Sequence, residues 1–209
     1  MTNLDIKQKT IAKEVSLSGV GLHTGKSVNM TFKPAPENYG YAFVRIDLEG
    51  KPVIEADANY VVTTERGTNL EKNGVNINTS EHVLAALVGL QIDNCIIELD
   101  ASEPPIMDGS SKYFIEILET AGLIEQEAFV EEYVVKEIIS YKDEKTGSEI
   151  MILPSEKYEL TTMVDFGTNV LGTQNAFINE ISEFKKEISD YRTFSFLHEI
   201  EMLLENDLI

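Results

Sequence analysis

Positive charge is in short supply in this 209-residue chain: 17 Lys and Arg stand against 36 Asp and Glu, for a formal net charge of -19. A field of that sign repels the phosphate backbone of nucleic acid and anionic membrane surfaces, so nonspecific polyanion binding is not expected. It does not exclude a phosphorylated small molecule, because a local pocket of donors can hold a diphosphate against an unfavourable global field. Cysteine is nearly absent too. Cys95 is the only one, which rules out an intrachain disulfide and a Cys-rich metal site and makes a reducing cytoplasm the expected setting. Apolar residues nowhere run to the roughly 18 in a row that a spanning helix needs, and "MTNLDIKQKT" has no stretch of signal-peptide length. A soluble protein without stable membrane insertion is expected. Histidine is also scarce, with only His23, His82 and His198 and no HxxxD or HxxH pair. A catalytic zinc usually takes three protein ligands, so composition alone does not lead to a metalloenzyme.

What is present is ordinary globular material, 43% hydrophobic and 25% charged, long enough for one large domain or two small ones. Alternation of period two marks "KSVNMTF", "YAFVRID" and "PVIEADANYVV" as strands, with turn residues in "PAPENYG". "TNLEKNGVNIN" reads as a hairpin, since Asn73-Gly74 suits the positive φ angles of a tight primed turn. The period then changes. Thr79 or Ser80 can cap a helix running to about Leu90, whose apolar face is Val83, Leu84, Ala86, Leu87 and Leu90. "DNCIIELD" follows as a short buried strand, then a second helix from roughly Ser111 to Ala121 that stops at Gly122.

From about Phe129 the chain begins a second β-rich series, "FVEEYVVKEIISYKD", "SEIMILP" and "YELTTMVDF", with a turn at "DEKTG". Two such openings, each followed by helix, predict an α+β protein of two domains, residues 1–127 and 128–209, joined in "IEQEAFVEE". That join lacks the Pro and Gly of a flexible tether, so the domains are expected to pack together. The last helix, with Phe196, Leu197, Ile200, Leu203 and Leu204 at helical spacing, has no C-cap or returning strand, and the second domain reads as incomplete.

In "NTSEHVLAALVGL" the pair Glu81-His82 falls in the first turn of a helix, whose positive end favours a carboxylate and opposes an imidazolium. Neutral imidazole is the form that ligates metal, and an adjacent carboxylate is placed to take a proton from water. On spacing alone the commoner reading is the bland one, a capping-region glutamate beside a half-buried histidine at the polar edge of a core helix. "GVGLHTGKSV" lacks phosphate-loop spacing and reads as a strand-linking turn carrying a surface histidine. In "SEPPIMDGSS", turn and cap chemistry suffices. His198 reads as a solvated helix residue.

Taken together, "GVGLHTG", "TSEHVLAALVGLQIDN", "PPIMDGSS" and "RTFSF", in this order and at these separations, resemble the zinc-dependent UDP-3-O-acyl-N-acetylglucosamine deacetylases of lipid A synthesis. The similarity runs from about Lys9 to Ile209. It implies two stacked α+β domains with the active site in the cleft between their helices. It further implies that His82 is a zinc ligand and Glu81 the general base acting on the attacking water, and that Thr193 helps stabilise the oxyanion. Phe166 and Phe194 match positions that pack the sugar and uridine, and "TTERGTNL" matches a loop beside the site. His23 matches a recurrent family histidine that is not placed among the ligands. The remaining zinc ligands, a histidine and an aspartate in an HxxxD arrangement, are expected beyond residue 209. Some family members are fused to a dehydratase domain, so a missing C-terminal segment or such a domain is an expected partner alongside the UDP-sugar acyl substrate. The implied function is a cytoplasmic zinc-dependent deacetylase of which this chain is an incomplete portion, inactive alone. The alternative is a noncatalytic sugar-nucleotide-binding or assembly protein.

Overall fold

The computed structural model describes residues 2–64, 66–197, 200, 201 and 205. Its centre is a five-stranded mixed sheet built from β2 (Val15–Val20), β3 (Ser27–Pro34), β4 (Tyr41–Arg45), β5 (Val53–Glu55) and β9 (Cys95–Leu99), in the order β2-β3-β9-β4-β5. The central strand is the last to arrive in sequence. β9 pairs antiparallel with β3 (Phe32 opposite Ile97) and parallel with β4 (Phe43 opposite Ile97). A parallel pairing needs a crossover, and that crossover contains α1 (Glu81–Gly89).

Alternation decides which side of the sheet is covered. Along β3, Val28, Met30 and Phe32 are buried while Ser27 and Asn29 face solvent. The buried face joins Phe43, Ile54, Ile97 and Leu99 to Val83, Ala86 and Leu87 of α1 and to Phe114, Ile115 and Leu118 of α2 (Lys112–Ala121). Both helices lie where the 3.6-residue period puts them, and α2 ends at Gly122 as expected. The expected hairpin forms from β7 (Asn69–Lys72) and β8 (Val75–Ile77), with φ of 53° at Asn73 and 78° at Gly74. With β6 (Val61–Thr63) they make a three-stranded sheet.

Two features differ from expectation. "PVIEADANYVV" is not one strand: β5 ends at Glu55, a 3-10 turn spans Ala58–Tyr60, and β6 joins the other sheet. Asp57 causes the break, its carboxylate accepting the Asn59 amide at 2.8 Å. The stretch "IEQEAFVEE" lies in a ten-residue strand, β10 (Leu123–Glu132), paired antiparallel with β1 (Thr2–Ile11). β1 itself carries no clean period-two signal, and its pairing spans most of the first 130 residues. The second half is β-rich and ends in helix, as expected. It holds two separate hairpins, β11 (Ile139–Lys142) with β12 (Glu149–Ile152) and β13 (Leu160–Asp165) with β14 (Thr173–Ile178), followed by a 3-10 turn (Ile181–Glu183) and α3 (Phe184–Glu187). Every residue of β11 and β12 is exposed, so no layer covers either face of that hairpin among the described residues. The molecule is thus mixed α and β, with several sheets and few helices, compatible with the α+β class. Of the final apolar series, Leu197 is exposed and Phe196 and Ile200 are half-buried; Leu203, Leu204 and His198 lie outside the described residues. No helix among the described residues is long and apolar enough to cross a membrane.

Cys95 sits in the central strand, and burial pushes its thiol up to about 12. Thiolate is the reactive form. The folded chain should therefore resist iodoacetamide at pH 8 and be labelled once denatured; rapid labelling of the native chain would contradict this burial.

Candidate active site

Glu81 and His82 open α1, but the helix is not capped as expected. Ser80 occupies the N-cap without a side-chain cap bond, because its hydroxyl donates instead to the Thr68 carbonyl at 2.8 Å. Thr79 has φ of 52°, and its hydroxyl donates to Glu103 at 2.9 Å. The helix start is thus held by neighbouring loops and not by its own cap.

The Glu81 carboxylate faces two groups. Its Oε2 accepts the Thr68 amide at 2.8 Å, and its Oε1 lies 3.9 Å from His82 Nε2. The two side chains keep 38% and 17% of their surface open, enough for a water or ligand to reach them. Because Thr68 also accepts from the Ser80 backbone at 3.1 Å, the 66–68 loop is strapped across the head of α1. The loop around "TTERGTNL" therefore lies beside Glu81.

His23 belongs to the turn between β2 and β3, closed by Gly21 N–H to Lys26 O at 2.9 Å. Its Nε2 stands 3.0 Å from the Arg66 carbonyl. A carbonyl only accepts, so the proton is assigned to Nε2. His23 thus faces the same loop that holds Glu81.

Thr193 and the Phe residues come from the later part of the chain. The Thr193 amide donates to Gly109 O at 2.8 Å, and the Ser111 amide donates to Ser189 O at 3.2 Å. Ser111 Oγ in turn donates to the His82 carbonyl at 3.1 Å. The 108–111 loop therefore bridges α1 and the 189–193 segment. Burial pushes the Asp108 carboxyl up, but the Ser110 hydrogen bonds and the Arg192 charge outweigh it and hold the group below the usual carboxylate range. At the other end of α1, the Phe184 ring lies where a Cβ on Gly89 would stand, so the docking of this segment depends on that glycine. Phe166 and Phe194 meet edge to face, with centroids 5.0 Å apart, and Phe196 completes the cluster at 6.3 and 5.8 Å. Phe194 is 59% exposed. An exposed aromatic cluster of this kind can take a flat ring or an apolar group.

Sequence reasoning passed over Glu103. It lies in "SEPPIMDGSS", read as turn chemistry, yet its residue exposure is 0%. Nothing local signals this, because the donors it meets come from the β2–β3 turn and the start of α1.

Among the described residues no three His, Cys, Asp or Glu side chains come together as a metal site. The donor set here is one imidazole beside one carboxylate, which does not by itself fit a three-ligand zinc centre. Neither of two cavities, of about 250 and 320 Å³ beside β1 and β10, is lined by Glu81, His82, Thr193, Phe166 or Phe194. The Glu81 and His82 side chains lie partly open between α1 and its bracing loops.

Comparison with known proteins covers nearly all of the chain. The family model described as UDP-3-O-acyl N-acetylglycosamine deacetylase (LpxC) matches residues 8–209. A bifunctional enzyme LpxC/FabZ of Bacteroides thetaiotaomicron is 47% identical over 204 residues, covering 98% of this chain and 44% of that protein. The bifunctional enzyme LpxC/FabZ of Porphyromonas gingivalis is 42% identical, covering 97% and 44%. The UDP-3-O-acyl-N-acetylglucosamine deacetylase of Myxococcus xanthus is 41% identical, covering 96% and 64%. The chain thus spans less than half the length of the two bifunctional relatives. With the carboxylate and imidazole together at the head of α1 and the match running almost end to end, the chain belongs to the UDP-3-O-acyl N-acetylglycosamine deacetylase family.

Proposed function

We propose that the complete protein removes acetate from a UDP-linked 3-O-acyl-N-acetylglucosamine in lipid A synthesis, and that the 209 residues are a portion that does not turn over substrate alone. The observation that carries this reading is Glu81, its Oε2 on the Thr68 amide at 2.8 Å and its Oε1 3.9 Å from the His82 imidazole. Residues 1–127 and 128–209 are proposed as two α+β domains with the site between them, in the cytoplasm. Zinc is the proposed metal, with His82 as one ligand and the others outside these residues.

Glu81 acts as the base. Water adds to the acetamide carbonyl carbon while its proton passes to the Glu81 carboxylate. Thr193 donates toward the oxygen that gains negative charge. The C–N bond then breaks, releasing acetate and an amine that takes up a proton. Phe166 and Phe194 pack against the sugar and uridine, supported by their contact with each other. The acidic field, net -19, argues for a small-molecule substrate over nucleic acid. A fused dehydratase domain is a proposed partner, by analogy with the relatives named LpxC/FabZ.

The test is acetate release by the complete protein, before and after chelation, with the 209-residue chain assayed beside it. Expected are metal-dependent release by the complete protein, none by the chain, and well below one zinc per chain after dialysis. A metal-loaded complete protein that leaves the acetamide intact would overturn the reading.

A further inference from the structure

The buried carboxylate of Glu103 has no part in the proton transfer proposed above, yet its surroundings are built in detail. It accepts the His23 amide at 3.1 and 3.2 Å, the Thr24 amide and hydroxyl at 2.9 Å each, and the Thr79 hydroxyl at 2.9 Å. All are neutral donors. A buried carboxylate without a cation is costly unless its lone pairs are filled. Here burial pushes the carboxyl up, and the hydrogen bonds from Thr24, His23 and Thr79 more than offset it, so the group stays below the usual carboxylate range. Gly21 is fitted to the same carboxylate, since a Cβ there would collide with Glu103 Oε2 and Thr24 Oγ1.

The donors come from two places that both lead to Glu81. Thr79 lies two residues before Glu81, next to the N-cap Ser80 of the helix that carries it. His23 reaches Arg66 O at 3.0 Å, and two residues on, the Thr68 amide holds Glu81 Oε2 at 2.8 Å. We propose that Glu103 is a positioning residue for Glu81: by clamping the His23 turn to Thr79, it keeps the 66–68 loop and the head of α1 in one geometry, with the Glu81 carboxylate aimed by the Thr68 amide. This rests on Glu81 being the base.

The complete protein carrying Glu103→Ala tests it by two readouts. Exchange of the Thr68 amide, followed by hydrogen–deuterium exchange, should speed up by about tenfold or more as the loop loses its anchor. The kcat should fall about 10²-fold, the scale of a misplacement near 1 Å, with KM and zinc content little changed. Glu103→Gln should lie between, because its amide keeps one acceptor oxygen and turns a donor toward the other donors. Should Glu103→Ala fail to fold, His23→Ala cuts the far end of the same chain of bonds without opening the buried site, and carries the same expectation. Folded variants with kcat within about twofold of the parent, or slowed variants whose Thr68 exchange is unchanged, overturn the proposal. Glu81→Ala separates the levels. If Glu81→Ala is slow and Glu103→Ala is not, this inference alone falls; if Glu81→Ala is as fast as the parent, the reading of Glu81 as base falls and takes this inference with it.

Discussion

Glu81→Ala in the complete protein is expected to slow turnover by about 10²- to 10⁴-fold, the loss typical of a general base, while leaving zinc bound. His82→Ala should fail differently. It removes an imidazole proposed to hold the metal, so zinc affinity drops and activity follows. Glu81→Gln sharpens the contrast. Its carbonyl oxygen still accepts the Thr68 amide, now at 2.8 Å from Glu81 Oε2, so the 66–68 loop stays in place while proton transfer is lost. Glutamine should therefore be nearly as slow as alanine but with Thr68 exchange unchanged. Were Glu81 only the polar edge of a core helix, either change would cost about 1 kcal/mol of stability or less, with kinetics intact. Zinc content and turnover measured together on all three variants decide the matter. A Glu81→Ala enzyme as fast as the parent would sink the assignment, however good the motif match.

The largest loss of stability should come from Phe32→Ala, at about 3–5 kcal/mol. Phe32 has 0% exposure and lies between Val15 of β2 and Ile97 of β9 in the sheet register. Truncation there removes apolar area from water and leaves a cavity under both helices. The neighbouring face supplies the control. Ser27 is exposed on the same strand, and Ser27→Ala should change stability by no more than about 0.5 kcal/mol. Denaturant midpoints for the two variants check this, and equal shifts would mean that β3 does not carry the core on the Phe32 side. Because α1 rests on this core through Val83 and Leu87, Phe32→Ala should also loosen the site while touching none of its residues.

Particular residues show how far reading alone could go. Val28, Met30 and Phe32 alternate because one side of β3 is wet, and Asn73-Gly74 takes two positive φ values because its turn requires them. Both helices and the stop at Gly122 follow from local period and end chemistry. These signals span a few residues, so the sequence carries them openly. Placing Glu81 and His82 together was legible in the same way, since adjacent residues at a helix start cannot be far apart. The roles proposed for Thr193, Phe166 and Phe194 were not legible from spacing and rest on the family resemblance.

By itself, then, the sequence determined the strands and helices that have a clean period, the hairpin, the adjacency of Glu81 and His82 at a helix start, and the acidic net charge. Tertiary structure alone decided that β9 runs between β3 and β4, that β10 pairs with β1, and that Ser80 and Thr79 bond to loops instead of capping α1. It also decided that Glu103, which reads as part of a turn, is a buried carboxylate held by four donor groups from two distant segments. The physical reason is the same in each case. Period and turn propensity are properties of a few neighbouring residues, whereas strand order and the partners of a buried charge are set by which distant surfaces exclude water together.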